Sequence, residues 1–455
     1  MKTTTYHARW VLPITEPAIE NGSVTVEDGR IAYVGERREM GTAVDLGEAV
    51  LMPGLVNAHC HLELTAMRGF LEDLDFRRWI LRLTAAKRSV LTQEMLLDSA
   101  RAGLEEGIAA GITTYADTCD SGVVIDAMRE YGVRGIMYQE LFGPDPAQCA
   151  ASIGDFRAKL ERLRAKTSDL VRIGISPHAP YTVSDDLFRA SAAIASAERL
   201  PMAIHIAESE VESQLVVEGK GAFADGLRGR GIDVRPRGAS PIALLGGLGV
   251  LDLRPLLIHC IRVSADDLDV IASKKARVAH CPVSNAKLGH GIAPLLEMLS
   301  AGIDVGLGSD SMASNNRMSL LEEARAALLF QRARVGTHEA LSAADVLELA
   351  TIGGACALGL GDEIGSLEVG KAADLAAFET AGAVPTHDPA AAAVFALSGS
   401  HACLVTVAGE PLVTGGRLTR PTSGLRERVQ GSADALREWL LNGGELSPPP
   451  PAGIR

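Results

Sequence analysis

Over the first fifty residues apolar and polar side chains alternate, most regularly in "GSVTVEDGRIAYVGE" (22–36) with Asp28-Gly29 at its centre. A period of two around an Asp-Gly pair predicts a β-hairpin. From Leu51 the pattern changes to short apolar runs separated by helical periodicity: "VLMPGLVNAHCH", "ITTYAD", "RGIMYQEL", "VRIGISPHAP", "PMAIHIAE", "PLLIHC", "ARVAHCP" and "IDVGLGSD". These are eight strand candidates. Helix signals lie between them, such as "TQEMLLDSARAGLEEGIAAG", which closes on Gly111, and Ser264 with Asp267 at capping-box spacing. Strands alternating with helices imply parallel β-α units, so residues 53–361 are expected to form an α/β domain, a (β/α)8 TIM-type barrel, with an open doubly wound sheet as the alternative.

After residue 362 the alternation returns in "EIGSLEVGKAADLAAFE" and "VTVAGEPLVTGGRL". The second stretch has the same rhythm as the first hairpin, so segments 1–52 and 362–422 are expected to pair in one small β-sandwich domain. Residues 423–455 then hold a short amphipathic helix, "SADALREWLLN", and the proline-rich "SPPPPAGIR", for which disorder is expected.

Composition narrows the partners. The chain of 455 residues is 47% hydrophobic and 22% charged, the balance of a globular protein. A net charge of −13 without a basic stripe argues against nucleic acid. There is neither a leader-like apolar run at the start nor an apolar stretch of about 18 residues anywhere, so a cytoplasmic protein without membrane spans is expected. Seven dispersed cysteines do not form a small-domain disulfide framework.

The chemistry concentrates at strand ends. In "NAHCHLEL" (57–64), alternation puts His59 and His61 on one face and Cys60 on the other, so Cys60 is not a co-ligand. Six of the eleven histidines end a strand candidate: His59, His61, His178, His205, His259 and His280. Asp310 ends the last, and catalytic groups of this barrel type sit at those C-terminal ends. A histidine taken singly reads as a hydrogen-bonded structural residue; the set reads as a site. Imidazole and carboxylate suit zinc and related divalent ions, and the lack of Cys-x-x-Cys spacing disfavours a structural zinc. Such a site activates water, and Glu208, three residues past His205, is placed to move its proton.

These motifs together resemble the amidohydrolase superfamily, in its cytosine-deaminase-like branch of aromatic-amine deaminases and chlorohydrolases. The likeness runs through "PGLVNAHCHLE", "SPHAPYTVS", "HIAESE", the sixth-strand "HC", "HCPVSNAKLGHG" and "GLGSDS". The resemblance implies one divalent metal, zinc with iron or manganese as alternatives, on His59, His61, His205 and Asp310. It further implies Glu208 as proton shuttle, His259 orienting the water, Asp310 as a second proton relay and His178 on the substrate ring. The implied reaction is hydrolytic deamination, in which activated water adds to a ring carbon and ammonia leaves.

Within the branch, "HCHLELTAMRGF" and "FRRWILRL" resemble the aminodeoxyfutalosine deaminases of menaquinone biosynthesis, with Cys60 replacing their usual threonine. Adenosine and S-adenosylhomocysteine deaminases usually carry a Trp-Pro then Glu element that is absent after Trp79, which counts against those substrates. Glu63, Arg68 and Trp79 are expected to shape the distal pocket, Glu63 on the face of the two histidines if the strand continues. The alternatives are another adenosine-type deaminase, an s-triazine chlorohydrolase, and a non-catalytic scaffold. A homodimer is a family-level expectation.

Overall fold

The computed structural model describes residues 3–444. The proline-rich tail lies outside the described residues. Two parallel sheets form its centre. The first orders Asp310–Ser311, Leu55–His61, Ile112–Cys119, Arg134–Leu141 and Val171–Pro177. The second orders Ala203–Ile206, Leu256–His259, Arg277–His280 and Val305–Leu307. An Ile175 to Met202 bridge joins them on one side. On the other, the last strand resumes after Gly308-Ser309, and Asp310 and Ser311 pair with Cys60 and His61.

Every residue of Ile112–Cys119 and Arg134–Leu141 is buried. Both faces of these strands are covered, so they read in sequence as near-continuous apolar runs, as parallel strands do. Helices connect them in the way the punctuation predicts. Thr92 caps Gln93–Ala109 by accepting from the Met95 N–H, and Ser264 and Asp267 close a reciprocal capping box on Ala265–Lys274. At Gly111 the chain turns with φ +86, and a Cβ there would meet Phe378 Cζ at 2.6 Å. Only glycine fits.

The two ends of the chain meet. Ala49–Pro53 pairs antiparallel with Leu375–Glu379, joining N- and C-terminal strands in one nine-stranded sheet. The predicted hairpin is there as Ile19–Glu27 and Arg30–Glu36, turned by Asp28 and Gly29, both with positive φ. That sheet is tied to the central strands by a buried ion pair, in which Arg134 Nε and Nη2 donate to Asp374 at 2.7 and 3.1 Å. The terminal helix starts earlier than its amphipathic stretch suggests and spans Leu425–Leu441, because Arg428 pairs with Asp98 at 2.7 Å and anchors the first turns. Among the described residues no helix is long and apolar enough to cross a membrane.

Candidate metal centre and active site

Leu55–His61, the first of the eight parallel strands in chain order, carries His59 and His61 to the same end, where the chains leaving the fifth (Ala203–Ile206), sixth (Leu256–His259) and eighth (Val305–Leu307) also arrive. They arrive strained. Ala207, His259, Cys260 and Asp310 all have positive φ, between +47 and +79, although none is glycine. Such conformations cost about 1–3 kcal/mol each and persist where surrounding structure imposes them. Here the constraint is visible: Glu212 accepts from the main-chain N–H of both Ala207 and Glu208, at 2.8 and 2.9 Å.

His61 Nδ1 donates to the Thr118 carbonyl at 2.7 Å, and His205 Nδ1 donates to the His178 carbonyl at 3.2 Å. Each imidazole then presents a bare Nε2, and the two Nε2 atoms lie 3.3 Å apart. Asp310 Oδ1 lies 3.3 Å from His59 Nε2 and 3.7 Å from His61 Nε2. His59 is fully buried, and neither ring nitrogen has a hydrogen-bond partner. Two facing lone pairs, an orphaned imidazole and a carboxylate fit a divalent cation and fit little else. Burial drives His61 down to about 3 and His205 well below the usual histidine value, so both rings are neutral at pH 7. Burial opposes ionisation of Asp310, but His59, His259 and His61 outweigh it and hold that carboxyl well below its ordinary value. Ser284 and Ser314 donate to its other oxygen at 2.5 and 3.2 Å.

Glu208 stands beside this cluster, 4% exposed. His259 Nε2 and His290 Nε2 each lie 3.5 Å from its Oε1. Burial raises this carboxyl, yet the two rings bring it below the usual value. His259 is held in turn by Asn285 Oδ1 at 3.0 Å. The His178 ring lies 4.7 Å from that of His205, and its Nε2 faces the buried Glu140 Oε1 at 4.0 Å. Cys60 points away, its Sγ 3.6 Å from Asp117.

The condition set for Glu63 is not met. The first strand does not continue past His61, because Asp117 Oδ2 takes the Leu62 N–H at 2.6 Å and a 3-10 helix, Leu62–Met67, begins. Glu63 therefore leaves the face of the two histidines and is buried in an ion pair with Lys87, which also holds Asp120. Arg68 pairs with Glu106 and is half exposed. Trp79 lies nearly parallel to Phe76 at 6.1 Å, and Phe76 sits edge-on to His290 at 4.6 Å. His280 is buried with its Nδ1 unpartnered. The sequence reading passed over Asn285, Ser284, Ser314 and His290; all but Ser314 lie in the quoted "HCPVSNAKLGHG", off any strand end.

Residues 50–412 match the profile of the amidohydrolase family. The chain is 33% identical over 346 residues to the 5-methylthioadenosine/S-adenosylhomocysteine deaminase of Moorella thermoacetica, covering 74% of this chain and 76% of that one. An adenosine deaminase from Xanthomonas campestris with bound zinc superposes with TM-score 0.85 at 27% identity, covering 96% of this chain and 98% of that chain. The aminofutalosine deaminase of Helicobacter pylori shares the fold, with TM-score 0.78 at 22% identity, covering 90% of this chain and 100% of that chain.

Proposed function

The chain belongs to the amidohydrolase family and is a metal-dependent hydrolase acting on C–N bonds, and from that premise we propose that it deaminates an adenine nucleoside derivative. The observation that carries this is the convergence of His59, His61, His205 and Asp310 with the buried carboxylate of Glu208 alongside. The Moorella relative supports the adenine nucleoside class. Closure of the eight parallel strands as a (β/α)8 barrel is part of the same reading, supported by the Ile175 to Met202 bridge and the Asp310–Ser311 pairing.

His59, His61, His205 and Asp310 would hold the cation, for which zinc is proposed. Bound there, it supplies Lewis-acid activation of water at neutral pH. Glu208 accepts the proton of the attacking water and returns it to a ring nitrogen. His259, held by Asn285, orients the water and the adduct. Asp310 relays a second proton to the leaving amine, and His178 contacts the ring. The bond from the ring carbon to the amino nitrogen breaks, ammonia departs and a ring carbonyl remains.

Within the class we propose aminodeoxyfutalosine, the reading supported by "HCHLELTAMRGF" and Trp79-Ile80. The second reading, 5'-methylthioadenosine and S-adenosylhomocysteine, is favoured by the Moorella relative, although the Trp-Pro element is absent. Ammonia release from aminodeoxyfutalosine, 5'-methylthioadenosine, S-adenosylhomocysteine and adenosine, set beside chloride release from chlorotriazines, ranks them. Chloride release without ammonia from any nucleoside overturns the proposal. Glu208→Gln is expected to lower turnover by about 10²–10⁴-fold at unchanged metal content; a fully active variant displaces Glu208.

A further inference from the structure

Two imidazoles face one oxygen of Glu208, and they are not equivalent. With the Asn285 side chain turned so that its Oδ1 meets His259 Nδ1 at 3.0 Å, Nδ1 is the donor. In that tautomer the proton sits on Nδ1, so a hydrogen bond to Glu208 Oε1 is to be sought from the other ring.

His290 has no such commitment. Its Nε2 is buried, has no other hydrogen-bond partner among the described residues, and lies 3.5 Å from Glu208 Oε1. The ring is 5% exposed and braced edge-on by Phe76. Its backbone is arranged for this placement. Gly289 and Gly291 flank it at φ +73 and +108, and its N–H donates to the Asn285 carbonyl at 2.9 Å. One residue, Asn285, thus sets both rings, His259 through its side chain and the His290 loop through its main chain.

We propose that His290 is a positioning residue for the proton shuttle: its Nε2–H donates to Glu208 Oε1 and keeps that carboxylate aimed at the substrate. The proposal rests on the reading of Glu208 as the shuttle. Burying a carboxylate without a donor is costly, and a ring N–H aimed at it offsets that cost.

The test combines kinetics with a measurement that needs no substrate. In zinc-loaded protein labelled with 15N-histidine, the His290 Nε2 resonance is expected at the protonated position and to shift in Glu208→Gln. His290→Leu, which keeps volume but has no donor, is expected to lower kcat by about 10–100-fold with KM and zinc content unchanged. His290→Gln, whose amide N–H reaches the same oxygen, is expected to recover part of that loss. A bare Nε2, a His290→Leu enzyme with wild-type kcat, or a loss confined to KM or zinc content overturns the proposal. Failure of the shuttle reading looks different: Glu208→Gln keeps full activity while the His290 resonance still responds to it.

Discussion

His61 and His205 each give Nδ1–H to a main-chain carbonyl, so their tautomers are set by backbone and not by a side chain that mutation can remove. Asp310 is different, since its second oxygen depends on the hydroxyls of Ser284 and Ser314. Ser284→Ala is therefore expected to weaken metal binding by about 10–100-fold, measured by competition with a chelator; unchanged affinity removes Ser284 from the site's support. At this scale the histidines were legible because His-x-His on a strand puts two rings on one face whatever the rest of the chain does. Glu63 shares the histidines' face only if the strand continues, and nothing in "HLEL" says that Asp117, 55 positions beyond Leu62 and on another strand, will intercept the Leu62 N–H. His290 was passed over for a related reason. It lies in a loop, and only the fold turns that loop toward Glu208.

Among the elements, the short helix Glu210–Ser213 holds the end of the fifth strand through Glu212, which accepts from Ala207 and Glu208. Burial pushes the Glu212 carboxyl up to about 8, against the pull of those backbone donors. The folded chain keeps a proton that the unfolded chain releases near the ordinary value of 4.5. Its contribution to stability is therefore fully present below that value, declines as pH rises, and is lost once pH passes the folded value. Unfolding free energies measured across this window should show wild type losing ground to Glu212→Gln as pH rises, with a constant difference above about pH 8. A difference that does not change with pH contradicts it. Element existence was readable from periodicity and caps, as at Thr92 and Ser264. The early start of the terminal helix was not, because the Arg428 to Asp98 pair joins residues far apart in the chain.

For the molecule as a whole, the nine-stranded sheet and the parallel strands are joined through Arg134 and Asp374, both buried. Asp374 also accepts the Ala408 N–H at 2.7 Å, so it serves both parts. Asp374→Ala strips the buried guanidinium of its hydrogen-bonded partner, leaving only the part-exposed Glu363 at 3.9 Å, and is expected to destabilise the protein by about 3–5 kcal/mol, measured by denaturant unfolding. A loss below about 1 kcal/mol, on the order of an exposed pair, would mean that water reaches Arg134 in the variant.

The sequence by itself determined the alternation of strands and helices, the hairpin at Asp28-Gly29 and the histidines at strand ends, because periodicity, turn chemistry and side-chain alternation are local. Tertiary structure alone decided which groups meet. The 3.3 Å approach of His61 and His205, the capture of the Leu62 N–H by Asp117 and the placing of His290 before Glu208 all join residues far apart in the chain. Their proximity depends on how strands pack and where loops turn, which no local pattern encodes.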